Sequence, residues 1–218
     1  MGSTFVAEPV ESDTVSTSGS PGAIHPVETV LTGRHVRLRP LRVDDAATTL
    51  AWRSDSRASL LNRGALTVDD QARWISSRPA EEFNMIIELL DGTPVGMISL
   101  IDIDFHHRRA EPGRLLVGEP ELAKGLPVAV EALGLIYELA FEQLGLDRIH
   151  GIVAQDNQPV VKLQSYLGLS VEGRLRQHLN INGRLQDAIC MGLLAHEYRS
   201  TTRHRIRTLV AMSTARKS

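Results

Sequence analysis

Gly118-Glu-Pro-Glu-Leu-Ala-Lys-Gly-Leu-Pro127, an apolar run from Val128 to Leu144, Arg148-Ile-His-Gly-Ile-Val-Ala154, Asn157 and Gly168 follow one another between Leu115 and Glu172. The order reads as strand, glycine-bearing loop, amphipathic helix, strand, helix and stop. A helix opening near Val128 has first-turn amides with no partner inside the helix and a dipole end that favours an anion. Lys124 and Gly125 stand just ahead of it. Leu133, Ile136, Tyr137, Ala140, Phe141 and Leu144 recur at helical spacing and give that helix one apolar face for a sheet. A crossover of this kind makes the strands on either side of it parallel. Asn157 is a good N-cap for Gln158 to Leu167, and Gly168 is the natural C-terminal stop.

Val36-Arg-Leu-Arg39 alternates with period two, as a half-buried strand does. Asp44-Asp45 announces a helix over Ala46 to Trp52, and Thr67-Val-Asp-Asp70 another over Gln71 to Ser76. Arg53 to Leu66 lacks a period and predicts loop or broken helix. Phe83 to Leu90 and Pro94 to Ile103 are strand-like, with Asp91-Gly92 as the hairpin signal between them; a third strand, Arg108 to Val117, continues the meander. Two last strands, Val171 to Leu179 and Arg184 to Leu194, join at Asn182-Gly183. The fold class is mixed α/β, with strands on both sides of a crossover helix.

At 218 residues the chain suits one domain with extensions. Residues 1–29 are rich in small polar residues, Pro and Gly and predict a disordered tail. The domain is expected over 30–198, and 199–218 form a basic C-terminal tail. That tail is either solvated or, through Ile206, Leu209, Val210 and Met212, packed on a neighbour, which leaves a homodimer open. With 24 Lys+Arg against 26 Asp+Glu there is no general basic field, so neither nucleic acid nor a membrane surface is the expected partner. No apolar run approaches the ~18 residues needed to cross a bilayer. The acidic start, with Glu8, Glu11 and Asp13, argues against a secretion signal and for the cytoplasm. Cys190 is the single cysteine and sits in an alternating run, so a buried strand thiol is expected. No His/Cys grouping has metal-ligand spacing.

Asp102-Ile-Asp-Phe-His-His-Arg-Arg-Ala-Glu111, Asp156-Asn157 and Leu167-Gly168-Leu-Ser-Val-Glu-Gly173-Arg-Leu-Arg176 resemble the GNAT superfamily of acyl-CoA-dependent N-acetyltransferases. The resemblance runs from about Leu31 to Tyr198. It is densest toward the branch containing polyamine, ribosomal-protein and nucleotide-amino-sugar N-acetyltransferases. It implies a mostly antiparallel sheet with one splayed parallel pair and flanking helices, acetyl-CoA (or another acyl-CoA) as co-substrate, no metal, and a small-molecule amine as acceptor. Ala123, Lys124, Gly125, Leu126 and Val128 match the loop that wraps the pyrophosphate in that family. Leu116 and Val117 match the backbone that meets the pantetheine arm. Pro127 stands near where a second small residue is usual and removes an amide donor.

Amide formation from a thioester needs a neutral amine, a polarised carbonyl and a proton for the departing thiolate. Glu111 is the candidate base, with an ion pair to its arginine neighbours as the rival role. Asn157 is either a cap or a polar contact to the carrier, and Lys162 either a solvated lysine or a phosphate contact. The family's usual acid, a tyrosine, is replaced at the matching position by Gln164, which cannot supply a proton. Tyr166 lies two residues on, about 200° around the helix, and should point elsewhere. His150 reads as a satisfied core histidine, and His106 and His107 as solvated. Arg53, Asp55, Arg57, Asn62 and Arg63 lean basic around the expected acceptor. That balance suits a phosphorylated or nucleotide-linked amino sugar better than a polyamine. The expected activity is acyl transfer to a primary amine by direct attack. The alternatives are a catalytically idle domain that binds an acyl carrier, and a polyamine or protein N-terminal acetyltransferase.

Overall fold

The computed structural model describes residues 25–55, 58 and 64–213. The expected tail up to residue 24, the acceptor candidates Arg57, Asn62 and Arg63, and the basic residues Arg216 and Lys217 lie outside them. Eight strands among the described residues form one sheet in the order β1-β2-β3-β4-β5-β6-β8-β7. They are β1 (Leu31–Thr32), β2 (Val36–Pro40), β3 (Phe83–Leu89), β4 (Pro94–Asp104), β5 (Arg109–Val117), β6 (Arg148–Ala154), β7 (Ser170–Ile181) and β8 (Arg184–Leu194). All neighbours are antiparallel except β5 and β6.

Local chemistry sets the ends of these elements. Gly92 (φ 94°) turns the β3–β4 hairpin, and Thr93 N–H donates to the Asp91 carboxylate at 2.9 Å. At the β7–β8 tip Asn182 (φ 52°) and Gly183 (φ 81°) both take the left-handed backbone that a two-residue hairpin requires. Helix α2 (Val68–Ser76) is capped by Thr67, whose hydroxyl accepts from Asp70 N–H at 3.1 Å. The crossover helix α3 (Val128–Glu138) ends in a π-helical turn, Leu139–Gln143. Gly168 (φ 113°) closes α4 (Gln158–Leu167).

The two sheet faces are covered unequally. On one, Val36, Leu38, Met85, Ile87, Ile98 and Ala110 meet the apolar side of α3 and reach Tyr198, Ile206 and Val210 in a single cluster. On the other, Trp52 of α1 (Ala46–Ser54) packs with Ile86, Met97 and Leu116. Gly118 is required there, because a Cβ would lie 2.2 Å from the Trp52 ring.

The expected solvated tail is corrected by the described part of the chain beyond Leu194. A short α5 (Ala195–Glu197), a π turn (Tyr198–Thr202) and α6 (Arg203–Met212) continue from β8, and α6 lies against α3. Ile206 and Val210, four apart, bury one stripe of α6 in the chain's own core rather than on a neighbour. Arg203 and Arg199 reach back to Glu138 and Glu142 at 3.2 and 3.0 Å. Cys190 is half-buried rather than fully enclosed.

Candidate functional site

Strands β5 and β6 pair through Arg109↔Arg148 and Ala110↔Ile149 and no further. Beyond that point they diverge. The opening between them holds a cleft of about 230 Å³ lined by Glu111, Pro112 and Arg114 from β5, Gly151 to Ala154 from β6, Leu133 of α3, and Val160 and Gln164 of α4. Residues from both sides of the sheet meet here. Leu133 and Val160 belong with the α3 cluster, whereas Arg114 lies beside Trp74 of α2. The gap therefore passes through the sheet.

Strand alternation decides which backbone groups face that gap. Gly118 N–H donates to Val95 carbonyl at 2.8 Å, and the register pairs Met97 with Leu116 and Gly96 with Val117. The Leu116 amide and carbonyl are therefore spent on β4. Those of Val117 turn the other way, toward the side β6 has left. Of the two expected backbone contacts, the geometry supports Val117 and not Leu116, whose side chain packs on Trp52.

Glu111 sits in the cleft, half-buried. Burial, then the nearby Asp102 carboxylate, raises its pKa above the usual carboxylate range; the Ile152 backbone amide across the gap and Arg114 act in the opposite sense. The rival ion pair with its neighbouring arginines is not formed. Arg108 pairs with Asp147 at 2.7 Å, and Arg109 with Asp104 at 3.6 Å. His150, on the next strand, is half-buried; its Nδ1 has no hydrogen-bond partner among the described residues, while the ring meets the Ala110 backbone. Burial, then Arg148 and Arg109, lowers its pKa and favours the neutral ring. His106 and His107 are exposed in the β4–β5 turn.

Helix α4 presents Gln164 and Asn157 to the cleft. Asn157 holds the expected N-cap position, its carbonyl accepting from Val160 and Val161 N–H at 3.1 Å, while its side chain makes no cap hydrogen bond and lines the cleft. The Gln164 Oε1 is buried with no hydrogen-bond partner among the described residues. Lys162 is exposed on α4 and does not line the cleft. Tyr166 is 58% exposed, and its carbonyl accepts from Arg205 at 2.8 Å. It faces away from Gln164 as the helical period requires. Tyr166→Phe is accordingly expected to change turnover by less than about twofold; a tenfold fall, ~1.4 kcal/mol, would place its hydroxyl in the chemistry.

A second cavity of about 260 Å³ opens at the start of α3, lined by Val117, Pro120, Ala123, Leu126, Pro127, Val128, Ala129 and Val130. Pro127 takes the N-cap position, and its carbonyl already accepts from Glu131 N–H at 2.9 Å. The amides of Val128, Ala129 and Val130 precede the first intrahelical bond and form the anion-favouring end. Val117, Ala123, Leu126 and Val128 are thus brought together. Gly125 (φ 80°) supplies the left-handed turn ahead of the helix. Lys124 does not join them: its side chain is 80% exposed, with the Glu121 carboxylate 3.7 Å away. A larger cavity, about 370 Å³ between α3, α6 and the β1–β2 turn, holds none of the candidate residues.

On the α1/α2 side of the cleft, Arg53 of the expected acceptor region joins two arginines that sequence reading misses, Arg78 and Arg114. Arg53, Arg78 and Arg114 place their guanidinium carbons 5.9, 4.5 and 5.3 Å from the Trp74 ring centroid. Arg114 Nη1 donates to Glu82 at 2.8 Å and to Asn84 at 2.6 Å. Its backbone is left-handed (φ 54°), beside an irregularity in the β4–β5 register. For a residue with a Cβ this costs about 1–2 kcal/mol. Burial would raise the Glu82 carboxyl, but hydrogen bonds from Arg114 and Asn84 and the Arg114 and Arg78 charges outweigh it and hold it below its ordinary value.

A family model described as an acetyltransferase (GNAT) domain matches residues 35–170. Spermidine N(1)-acetyltransferase of Escherichia coli (strain K12) is 34% identical over 108 residues, covering 50% of this chain and 56% of that protein. The chain thus matches about half the length of that relative. The uncharacterized N-acetyltransferase p20 of Bacillus licheniformis is 31% identical over 181 residues, 79% of this chain and 99% of that protein. The structure of Mycobacterium smegmatis RimJ in complex with CoA-disulfide superposes with a TM-score of 0.73 at 23% identity, covering 85% of this chain and 96% of that one. That last likeness is one of fold.

Proposed function

From the membership of this chain in the GNAT acetyltransferase domain family, we propose that residues 30–198 move an acyl group, acetyl first, from acyl-CoA to a primary amine of a small molecule. The family uses acetyl-CoA, and the residues present fit such a carrier. The α3 amides of Val128, Ala129 and Val130 would take the diphosphate, the outward Val117 backbone would meet the amide-bearing arm, and the thioester would end between β5 and β6. When bound, the carrier supplies the activated acyl carbon.

The chain's own part is positioning and proton handling. Glu111, its proton affinity raised by burial and Asp102, takes a proton from the incoming ammonium, directly or through water. Holding the amine and the acyl carbon in one cleft converts a bimolecular attack into a local one. Gln164 can orient the departing sulfur but cannot protonate it. A thiol of pKa near 8.5 is a tolerable leaving group, with water or the substrate supplying its proton.

The observation that carries this proposal is the raised-pKa carboxyl of Glu111 in a cleft that passes through the sheet. An amino sugar is the acceptor favoured here, on the arginines that flank the cleft. A polyamine is the second reading, favoured by the spermidine N(1)-acetyltransferase of Escherichia coli. The test is to titrate coenzyme A calorimetrically, then follow free thiol with acetyl-CoA and a panel of amines. Thiol release above the hydrolysis background supports transfer. Coenzyme binding without release for any amine points to an idle carrier-binding domain. Among the described residues no helix is long and apolar enough to cross a membrane, and the cytoplasm is the compartment proposed.

A further inference from the structure

We infer that the acceptor carries an oxyanion, a phosphate monoester first, held by Arg78 and Arg114 against the wall formed by Trp74, with Arg53 behind them. This rests on the acyl-transfer reading above and names the substrate class of its acceptor side. Three guanidinium groups around one indole concentrate like charge. The strain shows at Arg53, whose pKa is lowered by burial and then by the Arg114 charge. Stacking on the Trp74 face offsets part of that repulsion, and Glu82 offsets more. An anionic ligand between Arg78 and Arg114 would lower the repulsion further.

The donors are present. Arg114 spends Nη1 on Glu82 and Asn84, and its Nε and Nη2 make no hydrogen bond among the described residues. Arg78 gives Nε to the Trp74 carbonyl at 3.1 Å and Nη2 weakly to Ser77 at 3.4 Å, leaving its Nη1 available. Two planar forks with open donors suit the oxygens of a phosphate or carboxylate. Arg114 also lines the same cleft as Glu111, three residues along β5, a separation of ~10 Å at most. With both side chains reaching inward, the amine and the anion of one acceptor would be about a monosaccharide apart. A free polycation would meet repulsion at this end of the cleft.

The experiment measures kcat/KM for acetyl transfer, by thiol release, with glucosamine 6-phosphate, glucosamine, a carboxylate-bearing amino acid and spermidine. The phosphate ester is expected to exceed glucosamine by about tenfold or more, ~1.4 kcal/mol. That ratio should shrink with added salt and collapse toward one in Arg78→Ala. Coenzyme A titration of the variant reports whether its fold persists. If the amino acid outruns the phosphate ester, the oxyanion stands and its source is a carboxylate. Equal rates for glucosamine and its phosphate, or spermidine as the best substrate, overturn the inference while leaving acyl transfer intact. Absence of thiol release with every amine removes both.

Discussion

Glu111→Gln is expected to lower turnover by about 10²- to 10⁴-fold, the usual contribution of a positioned general base, while coenzyme A affinity changes by less than about twofold. The carboxyl lies in the cleft with no ion pair to Arg108 or Arg109, and a glutamine oxygen can still accept from the Ile152 backbone amide, so the substitution breaks no ion pair and keeps that contact. Its folded-state pKa is raised, which means the folded protein holds that proton more tightly than the unfolded chain. The stability this contributes is complete below the unfolded value and is lost as pH climbs through the folded one. Once pH exceeds the folded-state value the ionised, half-buried carboxylate is a net cost, and Gln removes it. Thermal melting at pH 7 should therefore show Glu111→Gln as stable as the parent or more so. The wild-type rate should rise with pH through a value above the ordinary carboxylate range, and that limb should vanish in the variant. Unchanged turnover, or a large loss of melting temperature, would remove Glu111 from the role of base.

Gly151→Val should weaken coenzyme A binding by about 100-fold or more, roughly 2.8 kcal/mol, and leave the protein folded. Gly151 stands on β6 where the sheet has opened, and a Cβ built there has its nearest neighbour, the Pro112 carbonyl, 4.0 Å away across the cleft. A valine is compatible with strand backbone and would occupy the space proposed for the thioester. Gly96 provides the contrast: a Cβ there would lie 2.3 Å from the Leu116 carbonyl, so filling it disrupts the β4–β5 ladder. Calorimetric titration beside a melting curve separates blockage from unfolding. Full affinity in Gly151→Val would mean that the carrier does not enter between β5 and β6.

The elements legible in the sequence are those set by local chemistry. Asp91-Gly92 and Asn182-Gly183 carry their turns in their own backbone preferences, and the periodic run after Val128 carries its helix. The splay of β5 from β6 is not local, because it depends on where two strands stop sharing hydrogen bonds; only the family resemblance pointed to it. Asn157 takes the N-cap position its residue type suggests, but which way its side chain turns, into the cleft, is set by tertiary packing. Lys124 matches the pyrophosphate loop only by the family resemblance, and the turn at Gly125 leaves its side chain exposed beside Glu121. The arginines around Trp74 come from α1, the turn after α2 and β5, too far apart in the chain for any spacing rule to join them. The stripe in α6 was visible as Ile206 and Val210, but the surrounding basic residues masked it as tail.

A sheet fastened at one end of β5 and β6 and open at the other has two leaves and a single pivot. Past Ala110 and Ile149 the facing strands share no ladder rungs, which leaves backbone donors and acceptors of both turned toward the gap. A guest whose own chain contains amides can supply those rungs on both leaves, each worth about 0.5–1.5 kcal/mol. The protein should then discriminate by the stem of the donor as well as by its acyl tip: a bare thioester offers nothing to bridge the leaves, whereas a peptide-like stem stitches them together.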